Sequence, residues 1–68
     1  MLDKYNEMLR EEYGSDITVK LIRYIEDDGS ELYRFTSARY GDSDNAFETA
    51  KEAYYDASVY LNYIGELW

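Results

Sequence analysis

The chain contains no cysteine and no histidine. Without cysteine there is neither a disulfide nor a thiolate metal site to supplement a hydrophobic core, and the protein suits a reducing compartment. Without histidine as well, the commonest general base, the commonest nucleophile pairings and the usual zinc and copper ligands are gone. Proline is absent too, and no low-complexity run or internal repeat suggests a linker or an array. Basic residues are scarce, seven Lys and Arg against fifteen Asp and Glu, and the net charge of -8 disfavours direct binding to nucleic acid. No long uncharged run occurs: the opening MLDKYNEMLREEY is charged throughout, unlike a signal peptide or a membrane span, so a cytoplasmic location is expected.

What remains must fold by burial alone. Sixty-eight residues make one domain, spanning residues 1–68, near the lower size limit for an unstapled core. Hydrophobic residues at 46% and aromatics at 18% are too abundant for a disordered acidic tail. The acidic excess is uneven. Residues 41–68 hold six acids and one base, a net -5 of the total.

Leu2, Tyr5, Leu9 and Tyr13 recur at helical spacing and predict a first amphipathic helix, stopped at Gly14. From Ile17 the period becomes two, Asp28-Gly29 supplies a turn signal, and Leu32 to Tyr40 is again rich in strand-favouring residues. A hairpin with a two-residue type I′ loop pairs Ile25 with Leu32, Tyr24 with Tyr33, Ile22 with Phe35 and Val19 with Ala38. That register leaves Ile22, Tyr24, Tyr33 and Phe35 on a half-apolar face, to be covered by a helix, a second copy or a partner. Asp42, Ser43 and Asp44 are expected N-caps of a second helix, in which Phe47, Ala50, Tyr54, Ala57, Leu61 and Ile64 form the apolar stripe and Gly65 the stop. Alanines beside larger residues predict close approach of this helix to the sheet. The expected class is α+β, in the order α-β-β-α, with an antiparallel hairpin packed on two helices.

No catalytic residue, metal or cofactor is expected. Asp42-Ser43-Asp44-Asn45 resembles the start of a calcium loop but lacks the glycine and distal Glu of that spacing, and helix capping explains it. Carboxylates alone can catalyse only when held in contrasting environments within a pocket that so small a chain can scarcely enclose.

Two patterns point to binding. Asp44, Glu48, Glu52 and Asp56 recur every fourth residue along the expected second helix, with only Lys51 as a local counter-charge. Such neighbours lie about 6 Å apart along the axis and repel by a few tenths of a kcal/mol per pair. The row reads either as the solvated back of the helix or as anions at a spacing of the same order as backbone phosphates, which rise about 3.4 Å per nucleotide. Glu26, Asp27, Asp28 and Glu31 place further acids at the hairpin tip. Nine tyrosines are the second pattern. Tyr brings large area at low entropic cost and is enriched at interfaces. Tyr54 and Tyr60 lie on the apolar stripe and are expected in the core, whereas Tyr55 and Tyr63 on the helix and Tyr24 and Tyr33 on the ambiguous hairpin face are interface candidates.

Small size, high negative charge, absence of cysteine, an α-β-β-α order and acids lined along one helix resemble the small phage-encoded DNA-mimic inhibitors, including anti-CRISPR proteins. The resemblance implies an inhibitor that fills the basic channel of a nuclease, glycosylase, restriction enzyme, polymerase or chromatin-like protein. Arg23, Arg34 and Arg39 on the hairpin depart from a wholly acidic surface. The alternative is a Tyr-mediated interaction module or homodimeric adaptor without mimicry.

Overall fold

A computed structural model describes residues 2–39 and 41–64; the placement of Tyr40, the stop at Gly65 and the side chain of Ile64 lie outside the described residues. The first helix, α1, runs Leu2–Tyr13, with Asp3 in its first turn and Arg10 in its last, the signs that suit the helix dipole. It ends as expected. Gly14 takes φ 116°, and its N–H donates to the Arg10 carbonyl at 2.9 Å. Leu9 is fully buried, and Leu2, Tyr5 and Tyr13 pack against the same core.

Strands β1 (Lys20–Ile25) and β2 (Glu31–Ser37) form the antiparallel hairpin, but the register differs by one from the expected one. Lys20 pairs with Thr36, Leu21 with Phe35, Arg23 with Tyr33 and Tyr24 with Leu32. The turn is the cause. Gly29 has φ 91°, and among the described residues none other than glycine has positive φ, so Asp28 does not adopt the conformation a type I′ loop requires. Instead Gly29 N–H donates to the Glu26 carbonyl at 2.9 Å and Glu26 N–H to the Ser30 carbonyl at 2.8 Å, a three-residue loop whose last residue is glycine. Asp28 Oδ1 steadies it by accepting from Ser30 N–H and Oγ.

A Cβ on Gly29 would meet nothing within 4 Å, so Gly29→Val is expected to destabilise through backbone strain alone, by about 1–2 kcal/mol. A thermal melt with an unchanged midpoint would remove this turn.

One residue of slip sends a strand's side chains to the opposite face. Phe35 and Tyr33 therefore join Val19 and Leu21 on the core side, while Ile22, Tyr24, Leu32 and Arg34 share the other. The expected patch of Ile22, Tyr24, Tyr33 and Phe35 does not exist as one surface.

The chain then adds an unexpected third strand, β3 (Gly41–Asp42), giving a sheet of order β1-β2-β3. Helix α2 spans Ala50–Ile64 and starts well after Asp42, Ser43 and Asp44, which are not its caps. The outward backbone groups of β2 need partners, and residues 41–47 supply them. Ser37 pairs with Gly41, Ser43 N–H donates to the Phe35 carbonyl, and Tyr33 and Phe47 exchange both backbone bonds at 2.7 and 2.8 Å. The true cap is Thr49. Its Oγ1 accepts from Glu52 N–H at 3.2 Å, as an N-cap does, and donates to Glu52 Oε1 at 2.9 Å, in a Thr-x-x-Glu sequence typical of helix starts.

Both helices pack on one face of the sheet, which makes the fold a two-layer α+β globule. Ala50, Ala53, Ala57 and Leu61 are buried along α2, and the alanines permit the close approach expected of them. Ile22, Tyr24 and Leu32, on the far face, take no part in this core.

Candidate functional site

The row of acids is broken. Asp44 and Glu48 precede α2, and only Glu52 and Asp56 stand one turn apart on it. The structure assembles a different acidic surface. A groove of about 370 Å³ between β3, the following loop and α2 is lined by Asp42, Asp44 and Asp56 together with Asn45, Val59 and Tyr60. A shallower hollow beside it holds Phe47, Glu52 and Tyr55, and shares Asp56 and Val59 with the first. Four carboxylates, Asp42, Asp44, Glu52 and Asp56, thus border one continuous surface. Asp42 was missed as a member because it arrives through sheet pairing, which helical spacing cannot signal. Glu48 is exposed and lines neither hollow.

Asp56 is half-buried, and desolvation raises its pKa against the opposing hydrogen bond from the Asn45 side chain. A carboxyl whose folded pKa lies above its unfolded one binds its proton more tightly when folded. Its ionisation therefore opposes folding as pH rises through that window. Asp56→Asn, which keeps an acceptor for Asn45, is expected to raise the melting midpoint slightly at neutral pH. The gain should vanish at a pH below both pKa values. Midpoints that fall equally at both pH values would show that the charge is not what Asp56 contributes to stability.

Tyr55 and Tyr63 are 58% and 84% exposed, as their positions off the stripe predict. Between them Val59 is 52% exposed, so α2 carries an outward stripe at intervals of four residues. Val59 was not singled out, although the same spacing reveals it. Tyr54 and Tyr60 pack against the core as expected, with ring centroids 5.4 Å from Tyr5 and 5.0 Å from Phe35 respectively. Tyr54 OH donates to Glu12 Oε2 at 2.9 Å and ties α2 to α1; burial, then Glu12, raises its pKa.

The hairpin tyrosines do not act together. Tyr33 lies against the core, while Tyr24 lies on the far face beneath the Arg34 guanidinium, 4.7 Å from its ring centroid. Arg34 Nη2 donates to Tyr24 OH and Nη1 to the Ser43 carbonyl at 2.9 Å, so this side chain spans the open sheet face. Glu26, Asp27 and Asp28 border a separate hollow at the hairpin tip. Glu31 lies 3.7 Å from Arg23, an ion pair whose two side chains are half exposed and which contributes at most about 1 kcal/mol.

Among the described residues no group of three or more carboxylates is disposed to hold a metal ion, and no helix is long and apolar enough to cross a membrane. No protein-family model, curated protein or solved structure matches the chain.

Proposed function

We propose that this protein is a non-catalytic inhibitor that covers the basic nucleic-acid-binding surface of a protein partner, such as a nuclease or an anti-phage defence effector, with Asp42, Asp44, Glu52 and Asp56 standing in for phosphates. The observation that supports the reading is the convergence of these four acids on one surface, in a segment where Lys51 is the only base. An irregular patch rather than a helical ladder supplies the charge. Carboxylates so placed attract a cationic groove over a Debye length and raise the rate of encounter. The groove is open, and three of its four acids, Asp42, Asp44 and Glu52, are exposed to meet such a surface.

A second reading is favoured by the stripe of Tyr55, Val59 and Tyr63 on the same side of α2: an adaptor whose aromatic anchors carry the binding and whose acids form only the rim. One experiment separates them. Immobilised protein is used to capture partners from the cells that encode it, and the captured proteins are challenged with duplex DNA and with rising salt. Inhibition by surface mimicry requires that duplex DNA displaces the partner and that binding weakens steeply with salt. A partner indifferent to both would overturn mimicry and leave the adaptor.

A further inference from the structure

Strand β1 is an edge of the sheet, and its backbone groups alternate in direction. Glu26 N–H bonds the Ser30 carbonyl, and Tyr24 and Ile22 stand two and four residues before it, so even-numbered residues turn their groups towards β2. Leu21, Arg23 and Ile25 turn theirs outward. At Leu21 the edge is closed by a side chain from α1. Leu21 N–H donates to Asn6 Oδ1 at 2.6 Å, and Asn6 Nδ2 donates to the Leu21 carbonyl at 3.4 Å. One amide thus makes the pair of bonds that a residue of a neighbouring strand would make. Arg23 and Ile25 receive no such cover among the described residues, and the Ile25 side chain is 64% exposed.

An uncapped edge is a template for another strand, and proteins use it for recognition when pockets for alternate side chains lie beside it. Such a pocket is present. A hollow of about 250 Å³ opens next to Arg23, between Leu2 and Asp3 of α1 and Tyr33 of β2. Acids outnumber bases around the edge: Asp3 lines that hollow and Glu26, Asp27 and Asp28 follow β1 in the loop, against Lys20 on the strand and an Arg23 guanidinium countered by Glu31.

We propose that residues 23–26 form a strand-addition site for an extended, basic segment of a protein partner. The Arg23 and Ile25 backbones would supply the hydrogen bonds, and the hollow beside Arg23 would take one side chain. The basic sign of the segment rests on the reading above that the partner surface is basic; the hydrogen-bonding edge does not. A second copy is disfavoured as the occupant because it would set the acids at this edge against their own kind.

The test is a titration of isotope-labelled protein with a short synthetic peptide alternating lysine and valine, followed by amide resonances and hydrogen exchange. The Arg23 and Ile25 amides should shift and exchange at least about tenfold more slowly when bound. Ile25→Pro removes an outward donor and no bond to β2, so the fold should persist while peptide affinity drops about tenfold or more. The same peptide methylated on its backbone nitrogens, with charge and side chains intact, should fail to bind whether or not that variant folds. Three outcomes overturn the proposal: shifts confined to the Asp42–Val59 surface, undiminished binding of the methylated peptide, or protection of Arg23 and Ile25 by self-association without peptide. None of these bears on displacement of the captured partner by duplex DNA, so failure here and failure of the mimicry reading remain distinguishable.

Discussion

Leu9→Ala is expected to lower the melting midpoint by roughly 10–25 °C, the largest effect of any single substitution argued for this protein. Leu9 is 0% exposed and sits where α1, the sheet and α2 meet, among Val19, Leu21, Phe35, Ala53, Ala57 and Leu61. Leu21 and Phe35 lie on strands, Val19 immediately precedes β1, and the alanines lie on a helix pressed close to them, so the neighbours have little freedom to collapse into the space left behind. Removing a buried leucine to alanine costs about 2–5 kcal/mol, more where the cavity cannot close. A domain of this length holds only roughly 3–10 kcal/mol in total, and no disulfide adds to it. Leu9→Met, which nearly conserves volume, should cost less than about 1.5 kcal/mol. Urea and thermal melts followed by circular dichroism measure both. A Leu9→Ala shift of less than about 4 °C would mean that α1 is not docked as described.

That the core was readable and parts of the site were not has a physical cause. Leu2, Tyr5, Leu9, Tyr13 and Gly14 declare α1 because every signal involved is local: one apolar face and one left-handed stop. Asp28-Gly29 announces a hairpin but not its register. Glycine suits both the second position of a two-residue loop and the third of a three-residue loop, and the two choices differ by one residue of slip. The start of α2 was misread because Asp42, Ser43 and Asp44 are all good caps by type. The backbone groups of Tyr33 and Phe35 compete for the same segment and win, and Thr49-x-x-Glu52, present in the sequence, then caps the helix. This long-range competition also explains the site. Glu52 and Asp56 keep the positions expected of them, Asp44 reaches the groove through the loop, Glu48 falls outside it, and Asp42 enters on a strand.

Neutralising the assembled surface, by Asp42→Asn, Asp44→Asn, Glu52→Gln and Asp56→Asn together, is expected to weaken binding to the captured partner by about ten- to a hundredfold at low salt. Stability should hold or rise slightly. Asp42, Asp44 and Glu52 are exposed, Gln at position 52 can still accept from the Thr49 hydroxyl, and Asn at position 56 removes the desolvated charge while keeping an acceptor for Asn45. The loss should fall mainly on the association rate, since opposite charges steer encounter, and the salt dependence of the remaining affinity should flatten. Single substitutions distinguish an assembled patch from a helical row. Asp42→Asn should weaken binding, and Glu48→Gln, which lies outside both hollows, should change it little; a row along one helix demands the reverse. Tyr55→Ala and Tyr63→Ala complete the contrast. If these two abolish binding while the fourfold variant matches the wild type at low salt, the carboxylates are a solvated rim, and the stripe on α2 is what the partner recognises.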